Sequence, residues 1–241
     1  SFTPSDLTLG GDAPGVPAAA ITEIAPNDGT TFNAAVNGLT GSGTVTVSLA
    51  ANTVQDTAGN DNNASSSTDN TVSYDIAQPG VTVSSTAADP TNVSPIPVTI
   101  TFDEAVTGFT PSSASGDVVI TNGTDSNPAG SGTTYTFDLT PSGQGAVTVM
   151  VPAASGQDAA GNANTESNTF SITYDSVRPT VTIEQAAAQA DPTNAAPIHF
   201  TVTFSEAVTG FEDSDVTLGG GAGATTAVVT GSGTTYDVAV S

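Results

Sequence analysis

Apolar and polar residues alternate one by one in short segments of this chain, and glycine, proline, asparagine and aspartate separate the segments. In segment 96–103 one face carries Ile96, Val98, Ile100 and Phe102, and the other carries Pro97, Thr99 and Thr101. A period of two predicts β-strands with one buried face and one face in solvent, and no stretch shows a convincing helical period. The pattern therefore predicts an all-β protein.

Seven short strands are predicted between residues 81 and 174. They are Val81–Ser85, Ile96–Asp103, two strands in Asp117–Asn122 and the loop beyond it, Thr133–Thr140, Ala146–Val151 and Asn168–Tyr174. About seven strands with turns every 8–12 residues predict two antiparallel sheets packed as an immunoglobulin-like β-sandwich. The Cys–Trp–Cys hallmark of antibody domains is missing, because the chain has neither cysteine nor tryptophan.

The same pattern recurs about every hundred residues. DPTNVSPIPVTITFDEAVTGF begins at Asp89 and DPTNAAPIHFTVTFSEAVTGF at Asp191, and QDTAGNDN at Gln55 is matched by QDAAGNAN at Gln157. A fixed long period predicts tandem units, each a small domain. Since the repeat is cut at both ends, we expect the sequence to be a window on a longer protein. The predicted division is a partial repeat over 1–75, a complete repeat over 76–175 and a partial repeat over 176–241.

The repeated motifs resemble a known family. The TFDEAVTGF and TFSEAVTGF motifs, the QDAAGN loop, the TYD strand ends and the proline-containing linkers are similar to bacterial Ig-like tandem repeats of large surface proteins and adhesins. The resemblance covers essentially the whole chain. It implies tandem Ig-like domains in an extended array, located outside the cell at its surface.

The composition is strongly acidic, with a formal net charge of −23 and a single residue among lysine and arginine. Binding to nucleic acid or to anionic membranes requires basic side chains, so this charge argues against both. No apolar run is long enough to span a membrane. The small partners expected of such a chain are cations.

Acidic and amide side chains fall where the predicted sandwich brings strand ends together. The end of the second strand, the loop between the last two strands and the linker lie at one end of a repeat. Ca²⁺ takes six to eight oxygen ligands in flexible geometry, so we expect it at the junctions between repeats, where it would stiffen the array. The candidate ligands are Asp75, Asp103, Glu104, Asp158, Asn162 and Asn164 at the first junction, and Asp175, Glu206, Asp89 and Asn92 at the second. The alternative is that these residues only shape turns.

The residues needed for catalysis are largely missing. A Ser–His–Asp site needs a histidine as its base, and the only one is His199, which the alternation places on an outward, solvent-facing position. A zinc site is nearly excluded, because there is no other histidine and no cysteine. Glu212, Asp213 and Asp215 form the densest acidic cluster, but the matching stretches of the other repeats keep little of it. We therefore predict that the chain is not an enzyme and binds no organic cofactor.

Three functions fit these features. The leading one is a stalk or fibre in which neighbouring repeats of the chain are the main partners. In a second, the repeats themselves bind glycan, ice or a receptor through an outward face that carries Thr99, Thr101 and Thr203. In a third, copies of the chain assemble into a filament or surface layer, because strands missing from the partial repeats could be supplied by another copy.

Overall fold

The structure is a computed structural model that describes residues 2–241, and it consists of β-strands with two short 3-10 helices, as the alternation predicts. The strands are β1 Leu7–Gly10, β2 Gly15–Glu23, β3 Phe32–Leu39, β4 Gly43–Leu49, β5 Thr71–Tyr74, β6 Val81–Ser84, β7 Ile96–Val106, β8 Val119–Thr121, β9 Gly123–Pro141, β10 Gly145–Met150, β11 Phe170–Tyr174, β12 Val181–Gln185, β13 Ile198–Val208 and β14 Ala227–Val240. The helices are Pro4–Asp6 and Asp213–Asp215. The chain divides into two compact units, one ending at Asp175 and one spanning Ser176–Ser241.

The complete repeat forms the predicted sandwich of two antiparallel sheets. One sheet has the strand order β6–β7–β9 and the other β11–β10–β8. In the first sheet Ile100 lies opposite Val83 on one side and Tyr135 on the other. This arrangement confirms the immunoglobulin-like fold predicted from strand number and spacing.

The observed strands differ from the predicted ones in two places. β7 continues past Asp103 to Val106, and its pairing with β9 is irregular between Thr101 and Val106. β9 spans 19 residues but folds back on itself as a hairpin: the Asn127 side chain donates to the Asp138 carboxylate at 2.8 Å, and Gly130 and Gly132 have positive φ at the reversal. The sequence predicted the second arm as Thr133–Thr140 and left the first arm in the loop beyond Asn122.

The core of the complete repeat is built from the inward positions of these strands. Ile96, Ile100, Leu139, Val147 and Val149 are each 0 % exposed, so the faces assigned from the alternation are confirmed. Burial of one such side chain contributes about 1.5–3 kcal/mol. The alternate positions of β7 that carry Pro97 and Thr101 are exposed.

A cluster of three aromatic rings closes one end of the core. The rings of Phe102, Phe109 and Tyr135 meet edge to face, with centroids 4.9–5.8 Å apart. The Tyr135 hydroxyl donates to the carbonyl of Val106 at 3.3 Å. The second unit contains the corresponding cluster of Phe204, Phe211 and Tyr236, with a hydrogen bond from Tyr236 to Val208. The repeated TF…GF and GSGTTY motifs therefore encode a repeated packing unit.

The remaining strands form smaller sheets. Residues 2–75 contain a three-stranded sheet of order β1–β4–β5 and the two-stranded sheet β2–β3. The second unit contains one sheet of order β12–β13–β14. Neither helix among the described residues is long and apolar enough to cross a membrane. The three-part division of the chain stays a prediction.

Candidate metal centre

Glu104 reaches the end of the sandwich through the alternation of β7. Even-numbered residues of this strand, from Ile96 to Phe102, point into the core, and Glu104 is the next on the same face. It lies between Phe102 and Val106, which are both buried, and is itself partly buried. A carboxylate there loses part of its hydration, which disfavours its charged form.

Asp158 lies in a tight turn between β10 and β11 and is 4 % exposed. Its Oδ1 accepts a hydrogen bond of 2.8 Å from the Asn162 backbone, and its Oδ2 accepts one of 2.8 Å from the Asn162 side chain. Asp56 and Asn60 make the same pair of bonds in the first repeat, where Asp56 is exposed. The turn therefore forms where no group of three converging carboxylates is found, and its shape by itself is no evidence for a metal.

Asp75 approaches the same place from the end of the first repeat. Its Oδ1 accepts hydrogen bonds from the Ser42 hydroxyl at 2.7 Å and from the Ala77 backbone at 2.9 Å. The Asn162 side chain also donates to the Asp75 carbonyl at 3.1 Å. Asp75 is thus fixed to the turn before β4 and to the Asp158 turn. Ser42 did not emerge from the sequence, because a serine in a Gly-Ser-Gly turn carries no distinguishing pattern.

These three side chains converge. Asp75, Glu104 and Asp158 each offer a carboxylate oxygen within 4.8 Å of the others, and they are the one such group of three found within residues 2–241. Burial, followed by the charges of Asp158, Asp75 and Asp103, raises the pKa of Glu104. The hydrogen bond from the Asn162 side chain lowers the pKa of Asp158 despite its burial. Three carboxylates that offer hard oxygen donors fit the ligand preference of Ca²⁺.

Asp103 is not part of this trio, although it is next to Glu104 in sequence. Its Oδ1 accepts a hydrogen bond of 2.8 Å from the Gly80 backbone, on the outward side of β7. In the second unit Ser205 takes the corresponding position, and its hydroxyl accepts a 2.9 Å bond from the Thr180 backbone. Since a neutral residue makes the equivalent bond, the contact does not require a charge.

Two candidates for the second junction, Asp89 and Asp175, make contacts within the complete repeat. Asp89 Oδ1 accepts a hydrogen bond of 2.9 Å from the Thr173 backbone, and the Asp175 backbone donates to the Thr91 carbonyl at 2.9 Å. Glu206 Oε1 is buried without a hydrogen-bond partner, the one side-chain polar atom in this condition in the described chain. A metal at these residues stays a prediction.

The residues considered for catalysis make structural contacts. His199 Nδ1 lies 2.8 Å from Asp237 Oδ2, and both side chains are more than two-fifths exposed. The Asp215 carboxylate accepts from the Glu212 backbone at 3.0 Å, and Asp213 Oδ1 accepts from the Val229 backbone at 2.6 Å. The acidic cluster thus caps its own short helix and holds it against β14.

Comparison with known proteins gives one match. The model of a family described as "Bacterial Ig-like domain" matches residues 75–174 and again residues 175–241. The chain matches no curated protein and no solved structure.

Proposed function

This chain belongs to the bacterial Ig-like domain family, and from that membership we propose that it is a non-catalytic repeat region of a stalk or fibre on a bacterial surface protein. The observation that carries the proposal is the presence of two tandem copies, since Ig-like repeats of this kind commonly occur in surface proteins. Each copy adds length, and the stalk holds another part of the protein away from the cell.

The acidic surface supports this role. A formal charge of −23 spread over the chain makes neighbouring copies repel one another and keeps a dense layer of such molecules soluble. It also makes non-specific attachment to anionic surfaces unfavourable. A stalk benefits from both effects, because it must project away from the cell rather than adhere along its length.

Surface labelling tests the location. Antibodies raised against the 241-residue chain are applied to intact and to permeabilised cells of the bacterium that produces it, with and without prior treatment with proteinase K. The proposal predicts labelling of intact cells that the protease removes. Labelling that requires permeabilisation would refute it.

We further propose that Asp75, Glu104 and Asp158 bind Ca²⁺. The support is the convergence of three carboxylates within 4.8 Å of one another, at the point where the linker enters the complete repeat. A bound cation would offset the repulsion among them and hold Asp75 to β7 and to the Asp158 turn of the next repeat. The first two repeats would then be joined by ionic contacts in addition to the covalent linker.

The repeated turn provides a matched control for this site. Asp158→Asn and Asp56→Asn disturb the same local hydrogen bonds, but only Asp158 belongs to the group of three converging carboxylates. We expect calcium to raise the unfolding midpoint of the natural chain and of Asp56→Asn, and to leave Asp158→Asn unchanged. The measurement is thermal unfolding with calcium and with chelator at fixed ionic strength, combined with calorimetric titration. An equal calcium response in both variants would exclude this site.

A further inference from the structure

Hydrogen bonds join the first and last segments of the complete repeat at three places. Residues 79–91 lead into β7 and include β6, and residues 165–175 include β11 at the end of the repeat. β6 and β11 belong to different sheets, so these bonds connect the sheets along one edge of the sandwich. We call this set of bonds the terminal ladder.

The terminal ladder has three groups of bonds. At its upper end, where the chain enters the repeat, the Thr165 backbone donates to the Pro79 carbonyl at 2.9 Å. In the middle, the side-chain amide of Asn168 both accepts and donates a hydrogen bond, as the backbone of a strand residue does. Its Oδ1 accepts from the Val83 backbone at 2.9 Å, and its Nδ2 donates to the Val83 carbonyl at 3.1 Å.

At the lower end the contact is a short parallel β-bridge between Thr91 and Tyr174. The Thr91 backbone donates to the Thr173 carbonyl, and the Asp175 backbone donates to the Thr91 carbonyl, both at 2.9 Å. The Asp89 carboxylate also accepts a hydrogen bond of 2.9 Å from the Thr173 backbone. In all three groups the sequence separation between the paired residues is nearly the same, so the two segments run in the same direction.

Parallel segments respond in a particular way to tension. The chain enters the repeat beside Pro79, at the upper end of the ladder, and leaves it after Asp175, at the lower end. Pulling the two ends apart therefore slides one segment along the other, and all three groups of bonds resist at once. Pulling the segments apart at one end would break the groups one after another.

From this geometry we propose that the terminal ladder is a shear clamp that makes the repeat resist tension applied along the chain. The use of such a clamp rests on the proposed function, because a stalk transmits force through each repeat from end to end. The clamp itself depends only on the hydrogen bonds of the complete repeat, and the Asn168 amide supplies its central group.

Force spectroscopy on the whole 241-residue chain tests the proposal. The natural sequence has no cysteine, so two introduced cysteines define the points of attachment. Gln78→Cys with Arg178→Cys loads the ladder in shear, and Gln78→Cys with Glu166→Cys peels it from its upper end; all three positions are exposed. The shear pair encloses about 100 residues, so unfolding of the complete repeat releases up to roughly 340 Å of chain.

We expect the unfolding force in shear to exceed that in peeling several-fold. Asn168→Ala combined with Asp89→Ala should lower the shear force towards the peeling force and leave the peeling force unchanged. Asn122→Gly is the matched control. It removes an exposed amide that donates to the carbonyls of Gly143, Gln144 and Ala146, outside the ladder, at a φ of 57° that glycine adopts readily.

Equal forces in the two directions would overturn the proposal, and this comparison needs no variant beyond the cysteine pairs. A shear force that the double substitution leaves unchanged, or that Asn122→Gly lowers equally, would also overturn it. The outcome is separable from that of the stalk assignment. If the chain resists shear but is absent from the cell surface, the shear clamp is supported and the stalk assignment is refuted.

Discussion

Replacing Glu104 with glutamine should stabilise the protein in the absence of calcium, although substitutions at partly buried positions usually destabilise. Glu104 has carboxylate oxygens of Asp75 and Asp158 within 4.8 Å. Two unit charges at that separation in water repel by about 0.9 kcal/mol, and physiological salt reduces each such repulsion to roughly 0.5 kcal/mol. Glu104→Gln removes two such repulsions and keeps the side-chain shape. We therefore expect a gain of about 1 kcal/mol in the free energy of unfolding near pH 7.

The pH dependence has a definite sign. The pKa of Glu104 is raised by burial and by the charges of Asp158, Asp75 and Asp103. The folded protein thus holds this proton more tightly than the unfolded chain does. The stabilising contribution of Glu104 is fully present below the ordinary glutamate pKa and is lost as the pH rises through the higher folded value. Glu104→Gln should abolish this loss.

The assay is urea denaturation in chelator at fixed ionic strength, followed by circular dichroism from pH 4 to pH 8. Glu166→Gln is the control, because it removes the same formal charge from an exposed residue outside the trio. Three results would refute the reasoning: a less stable Glu104→Gln protein in chelator, an equal gain in Glu166→Gln, or an unaltered pH dependence.

Three further predictions concern the complete repeat. Phe109→Ala removes one ring of the aromatic cluster, so we expect it to cost about 3–5 kcal/mol in urea denaturation; a cost below that of a surface substitution would contradict the assigned packing. Tyr135→Phe leaves the Val106 carbonyl without its donor and should cost about 1–2 kcal/mol, with an unchanged m-value as the check that only stability has changed. Burial opposes ionisation of Asp125, but hydrogen bonds from Ser113 and Ser112 outweigh it and lower its pKa. The stabilisation that Asp125 contributes should therefore be present above the ordinary aspartate pKa and disappear as the pH falls through the lower folded value. If Asp125→Asn and the natural chain lose stability identically in an acid titration, this prediction is contradicted.

Much of the fold could be predicted from local pattern. The inward positions of β7 were assigned by alternation alone, because the period of a strand is fixed by its geometry. The aromatic cluster recurs in the second unit because the repeated motifs supply the same three rings. Less accessible was the first half of β9, whose glycines and polar residues become extended as the first arm of a hairpin with the second half.

The candidate site was predictable in part. Topology suggested that Asp75, Glu104 and Asp158 approach one another, and the structure brings their carboxylates together. The sequence grouped Asp103 with Glu104, yet adjacent residues on a strand point to opposite faces, and Asp103 bonds to Gly80 instead. The hydrogen bond from Ser42 to Asp75 could not be predicted, since nothing in the local sequence of Ser42 indicates a partner 33 residues away.

The sequence by itself determined the class of this protein: strand periodicity, a repeat of about a hundred residues, an acidic surface and motifs of the bacterial Ig-like family. These properties follow from local pattern, and the same pattern recurs in each repeat. Only the tertiary structure decided which polar side chains meet. The Asn168 amide bonds to Val83, 85 residues earlier, because the packing of two sheets brings their edges together. No local pattern specifies such a contact, since its partners are set by the path of the whole chain between them.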